Sequence, residues 1–204
     1  MGAYTEYLCP DNMKPILVLD NYDSFTYNLV HLLESISKQA VVVKRNDVIS
    51  PEDLSLYDRL LLSPGPGLPT EAGRMMELLA ATPSEMPVLG VCLGMQALAL
   101  HSGATLFQLP EVQHGIESTI RIRPETDRLG LYQALPANMQ VGRYHSWMVD
   151  SVGLPSEWMV TAVDDQERIM SITHRNKNWQ GVQYHPESVM SPLGKQLLQN
   201  WLTT

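Results

Sequence analysis

The chain has 204 residues, 44% of them hydrophobic and 18% charged, enough for one large domain with a full core. Its 22 acidic residues against 14 basic ones give a formal charge of -8 with no basic run, which excludes a general nucleic-acid binder, since phosphate contacts need clustered Lys and Arg. No apolar stretch reaches the roughly 18 residues of a membrane span, and the opening MGAYTEYLCPDN lacks the basic start and apolar middle of a signal peptide.

Two cysteines, Cys9 and Cys92, cannot build a disulfide framework, and the cytoplasm is the default location. Met13 opens MKPILVLD like a natural start. Residues 1–12 therefore read as a flexible N-terminal extension and residues 13–204 as a single domain.

The first half alternates strand and helix signals. ILVLD (Ile16–Asp20) is a short apolar run of strand length. Asp23 or Ser24 then offers a helix cap, with Phe25, Leu29, Leu32, Leu33 and Ile36 at helical spacing. AVVVK (Ala40–Lys44) and RLLLS (Arg59–Ser63) predict two more strands, and Glu71–Ala81 a helix. PVLGV (Pro87–Val91) predicts a fourth strand, followed by a helix over Gly94–His101. Such alternation implies a parallel sheet covered on both faces.

The second half is richer in strands: STIRIR (Ser118–Arg123), WMVTAV (Trp158–Val163), IMSIT (Ile169–Thr173) and WQGVQY (Trp179–Tyr184). Their short spacing predicts antiparallel pairing onto the same sheet. At the end Ser191 caps a helix, Pro192 takes its first position, and Leu193, Leu197, Leu198 and Trp201 form its apolar face. The fold class is α/β: an open, mostly parallel central sheet with flanking helices and added antiparallel strands.

Ligands of open α/β sheets bind beyond the carboxyl ends of the strands. SPGPG, Cys92 and HPES each follow a strand and should gather there. Gly90-Val91-Cys92-Leu93-Gly94 has the form of a nucleophile elbow, in which a strand turns sharply into a helix and holds the nucleophile strained at the tip. The helix N-terminus favours a Cys92 thiolate, and the Leu93 N–H faces a developing oxyanion. His185 follows a strand directly, Pro186 stiffens the link, and Glu187 can orient the imidazole. SPGPGLP (Ser63–Pro69) can supply a second oxyanion donor from the Gly67 N–H. Taken singly these motifs have plain alternatives: a buried structural thiol, a simple HPE turn, an ordinary loop. Together they predict a Cys92–His185–Glu187 triad.

GVCLGMQ, SPGPG and YHPES together resemble the class I (triad) glutamine amidotransferases, whose domain is flavodoxin-like. DNYDSFTYNL (Asp20–Leu29) is similar to the opening of one branch, the glutaminase subunits of anthranilate synthase and aminodeoxychorismate synthase. The resemblance runs from about Lys14 to Leu202 and implies glutamine hydrolysis. By that likeness Cys92 attacks the side-chain amide, His185 protonates the departing ammonia and Glu187 holds His185. Gly65, Pro66 and Gly67 line the glutamine site, and Gln96 and the Ser146–Trp147 backbone contact the substrate. Ammonia then passes to a chorismate-binding partner subunit, which carries chorismate and Mg²⁺; no cofactor or metal is implied in this chain.

Three departures stand out. Met95 replaces the His of the common elbow, Ile116 replaces the cation of an H-G-K segment, and Trp147 replaces the Leu of an H-S-L segment. Anthranilate synthesis is the first reading and aminodeoxychorismate synthesis the second. A non-catalytic regulatory subunit on the same fold is the third, and the complete triad argues against it. A thiol α/β-hydrolase would place an Asp well before the His rather than a Glu two residues after it.

Overall fold

Ile16–Asp20 forms strand β1, and all five of its residues are buried. Ile16 and Val18 point into one apolar cluster and Leu17 and Leu19 into another, as alternation across a doubly covered strand requires. The computed structural model describes residues 13–124 and 130–204. The extension expected over residues 1–12 lies outside the described residues.

Helix α1 (Thr26–Glu34) follows β1, then β2 (Val41–Arg45), β3 (Arg59–Leu62), helix α2 (Met75–Ala81), β4 (Val88–Val91) and helix α3 (Leu93–His101). Next come β5 (Leu106–Ile122), β6 (Asn138–Val149), β7 (Trp158–Val163), β8 (Ile169–His174), β9 (Trp179–Val182) and helix α4 (Gly194–Leu202). The nine strands form one sheet in the order β2-β1-β3-β4-β9-β8-β7-β5-β6. The pairs from β2 to β9 are parallel and those from β9 to β6 antiparallel. Leu29 and Leu33 of α1 and Leu197, Leu198 and Trp201 of α4 pack into one cluster. Leu78 and Leu79 of α2 and Met95, Ala97 and Leu98 of α3 pack into the other.

The strands expected from the sequence all form, within a residue or two at their ends except at the start of β5, which lies at Leu106 rather than Ser118. The helix expected over 71–81 is shorter. A 3₁₀ turn at Pro69–Glu71 precedes it, and α2 starts only at Met75. Gly73 interrupts at φ +52°, where a Cβ would lie 2.5 Å from Asn46 Oδ1. At α1 the Asp23 carboxylate accepts the Phe25 N–H at 2.7 Å, one turn ahead of the regular helix. The last helix also starts late. Ser191 does not cap it with its side chain, because its hydroxyl accepts the Gly142 N–H at 3.0 Å and donates to the His185 carbonyl at 2.6 Å. At the far end of α4, Arg59 donates to the carbonyls of Trp201, Leu202 and Thr204 at 2.9–3.0 Å, satisfying acceptors the helix leaves open.

The larger difference is the β5–β6 hairpin, of which the sequence predicted only the segment from Ser118. β5 is 17 residues long and pairs with β7 only through Arg121 and Ile122. The rest pairs with β6, through register shifts between Gln108 and Gln113 and between His114 and Ile116. A bridge between Gly142 and His185 ties this hairpin to the chain just past β9. It therefore reaches over the carboxyl ends of the parallel strands.

Candidate active site

Cys92 joins β4 to α3 at φ 53° and ψ -103°. A non-glycine residue there carries roughly 1–3 kcal/mol of strain. The surroundings fix it from both sides. The Cys92 N–H donates to the Val182 carbonyl at 2.8 Å, and the Cys92 carbonyl accepts the Gln96 N–H at 3.1 Å. The two glycines follow from the same packing. A Cβ on Gly94 would lie 2.4 Å from the Leu62 carbonyl oxygen, and one on Gly90 2.4 Å from the Gly94 carbonyl carbon. Backbone from β3, β4 and α3 meets here with no room for a side chain. The Leu93 N–H, at the first helical position, has no acceptor within its own helix.

His185 is set by its backbone. Its N–H donates to the Gly142 carbonyl at 3.0 Å and its carbonyl accepts the Ser191 hydroxyl. The following turn is locked against α4, since a Cβ on Gly194 would lie 1.8 Å from the Pro186 oxygen. Nδ1 of His185 meets Glu187 Oε1 at 2.7 Å, and the two side chains are 2% and 0% exposed. Nδ1 thus carries a proton toward the carboxylate, and Nε2 is left for chemistry. Burial works to lower the pKa of His185, but Cys92 and the Glu187 carboxylate outweigh it and raise it to about 10. Nε2 makes no well-formed hydrogen bond among the described residues. Phe25 and Tyr144 stand edge-on to the imidazole, with centroids at 5.7 and 4.9 Å.

Cys92 opens into a cavity of about 160 Å³. Gly65, Pro66, Gly67, Leu93, Gln96, Ser146 and Trp147 line it together, so this part of the predicted set shares one wall system. His185 and Glu187 are not on the lining. The SPGPG loop is seated by close contact: a Cβ on Gly65 would lie 2.7 Å from Asn21 Cβ and from Leu93 Cδ2. Asn21 holds it further, donating through Nδ2 to the Ser63 carbonyl at 2.9 Å. Gly67 takes φ +72°, which suits glycine. Gln96 donates from Nε2 to the Trp147 carbonyl at 2.9 Å, so its Oε1 is what it can offer a ligand. Among the described residues no group of His, Cys, Asp or Glu is arranged to hold a metal ion.

Sequence reasoning missed several neighbours. Gln183 donates to Cys92 Sγ at 3.5 Å. It lies just past β9, two residues before His185. Tyr144 and the hairpin residues Val112, Gln113 and His114 complete the cavity, and only the unpredicted β5–β6 pairing brings them there. Of the three departures, Met95 is buried against Gly181 and off the cavity, Ile116 is exposed, and Trp147 alone lies on the lining.

Known proteins are similar to this chain in sequence and in fold. The profile of the glutamine amidotransferase class-I family matches residues 17–204. Anthranilate synthase component II of Haloarcula marismortui is 42% identical over 92% of this chain and 97% of its own. Aminodeoxychorismate synthase component 2 of Escherichia coli is 40% identical over 92% of this chain and 98% of its own. A Thermoplasma acidophilum protein, whose crystal structure bears the name of a GMP synthase component, superposes with a TM-score of 0.82 over 94% of this chain and 93% of its own. At 22% identity it is similar in fold alone. With an elbow cysteine, a buried His–Glu pair and a family match over nearly its whole described length, the chain belongs to the class I glutamine amidotransferases.

Proposed function

We propose that this chain is the glutaminase component of a chorismate-using synthase, most directly anthranilate synthase, and that it hydrolyses glutamine and hands the ammonia to a separate synthase subunit. The observation that carries this is the strained Cys92 on a cavity, together with the buried His185–Glu187 hydrogen bond. With its proton held on His185 Nε2, Cys92 attacks the γ-amide carbon of glutamine as a thiolate. The N–H groups of Leu93 and Gly67 hold the oxyanion. Imidazolium protonates the departing nitrogen, ammonia leaves, and a γ-glutamyl thioester remains on Cys92. His185 then takes a proton from water, which attacks the thioester, and glutamate and free thiol result. Gly65 and Pro66, Gln96 Oε1 and the Ser146–Trp147 backbone bind the substrate. Chorismate and Mg²⁺ belong to the partner.

The segment Asp20–Leu29 supports a partner at this end of the sheet. Tyr22 and Tyr27 are 51% and 57% exposed, while Phe25 between them reaches the His185 ring. Val189, two residues after Glu187, is 95% exposed. Relatives of nearly equal similarity bear both synthase names, so aminodeoxychorismate synthase is the second partner to test. The test pairs the purified chain with each synthase subunit, chorismate, Mg²⁺ and glutamine, and identifies the aminated product. Partner should accelerate a slow free glutaminase. Cys92→Ala should abolish glutamine-dependent synthesis and spare synthesis from ammonium salt. Equal turnover with and without either partner, or full glutamine use by Cys92→Ala, would overturn the proposal.

A further inference from the structure

The mechanism above gives Gln183 no role, yet its side chain is fully buried with Nε2 3.5 Å from the sulfur of Cys92. Which end of this amide faces the sulfur follows from its neighbours. The Trp147 carbonyl is backbone and can only accept, so the Gln96 atom 2.9 Å from it must be the amide nitrogen. The same nitrogen lies 3.2 Å from Gln183, which must answer with its oxygen. The nitrogen of Gln183 is thereby turned to Sγ.

The network behind it is equally determined. Arg143 can only donate, and its Nε meets His145 Nε2 at 3.2 Å, so that nitrogen is bare. His145 Nδ1 then carries the proton and donates to the Trp147 carbonyl at 3.2 Å. Arg143 is itself anchored by the buried Asp164 at 3.1 Å.

We propose that Gln183 is a catalytic residue of this site, donating a fixed amide N–H to the Cys92 sulfur and stabilising the thiolate, with Gln96, Trp147, His145 and Arg143 holding it in that orientation. A thiol can donate or accept, whereas a thiolate only accepts, so a neighbour locked as a donor favours the ionised form. The titratable groups around Cys92 come from three elements: His185 and Glu187 after β9, Tyr144 and His145 on β6, and His114 on β5. Among them His185 exchanges the proton itself. Gln183 does not titrate, so its donation persists at every pH. The inference rests on Cys92 being the nucleophile.

The test uses the full chain with Cys9→Ser, leaving Cys92 as its single thiol, and follows the rate of iodoacetamide alkylation against pH. Gln183→Met should raise the apparent pKa of Cys92 by about one unit. It should also lower kcat with saturating glutamine by about tenfold while KM moves less than about twofold. Gln183→Glu should raise the apparent pKa further, because it sets a carboxylate oxygen against the sulfur. A folded Gln183→Met protein with an unchanged alkylation profile would overturn the assignment. Should either variant fail to fold, the side-chain amide resonance of Gln183 in the Cys9→Ser chain decides. It should move with the alkylation midpoint, and an invariant resonance would overturn the proposal. The alkylation profile needs neither glutamine nor partner, so failure of the glutaminase reading registers separately, as absent ammonia release by the parent chain.

Discussion

The two halves of the sheet contribute to one site by different physical means. In the parallel half, strand ends deliver Cys92, the SPGPG loop and His185 to one edge, and backbone crowding at Gly90, Gly94 and Gly194 fixes them. In the antiparallel half, a long bulged hairpin arches over that edge. It supplies the cavity wall through side chains and carbonyls: Gln113, His114, Tyr144 and Trp147. The first half positions reacting atoms where nothing can yield. The second half shapes a wall that tolerates adjustment.

Substituting one glycine in each half tests that contrast, and Gly94→Ala should have the largest effect. Its Cβ would meet the Leu62 carbonyl, which is backbone in a buried strand and cannot move alone. Overpacking of this kind costs about 3 kcal/mol. Denaturant unfolding should show that loss, and glutaminase activity should fall well beyond what the remaining folded fraction explains. Wild-type stability and activity in Gly94→Ala would refute the rigid-edge account.

The same contrast explains what the sequence made legible. Cys92, His185 and Glu187 sit in local motifs whose meaning depends on a strand ending nearby, and those strands are short, apolar and easy to read. The β5–β6 hairpin has no such signature. From Leu106 to Glu117 it exposes or half-exposes most residues, with Pro110 and two register shifts inside it. Alternation is lost across each shift, so a period-two search finds only the regular tail at Ser118–Ile122. Gln183 was missed for another reason: a neutral amide beside a nucleophile shows its role only through the partners that orient it.

A smaller effect divides the halves by pH. His145 is buried on β6, and burial first, then the adjacent Arg143, lower its pKa to about 3. The unfolded chain binds that proton near pH 6.5 and the folded one does not. Its contribution is therefore complete above about 6.5 and is lost as pH falls toward 3, on the order of 2 kcal/mol by the middle of that window. His185 has the opposite sign. Burial lowers its pKa, but Cys92 and Glu187 outweigh burial and raise it to about 10. Its contribution is complete below about 6.5 and is lost as pH rises through 10. Unfolding free energy measured against pH should thus fall on both sides of about 6.5. His145→Asn should flatten the acid limb and Cys92→Ala the alkaline limb. An acid limb unchanged in His145→Asn would show that His145 is not what sets it.

The smallest expected effect is that of Gly115→Ala, the hairpin's counterpart to Gly94→Ala. Gly115 lies at the second register shift of β5 with φ +67°, but the nearest atom to an added Cβ, Tyr144 Cε1, is 3.8 Å away. The cost is then one residue held in the left-handed region, roughly 1 kcal/mol. For a domain of this size that lowers the melting temperature by about 2–4 °C. The strain is relieved by shifting His114, which stands edge-on to Tyr144 on the cavity wall with centroids at 5.7 Å. Substrate binding should feel that shift more than the chemistry does, because Cys92 and His185 are held by other elements. KM for glutamine should rise while kcat in the complex stays near wild type. A Gly115→Ala protein that lost kcat with KM unchanged would mean the hairpin helps place the reacting groups, and the division of labour between the two halves would have to be abandoned.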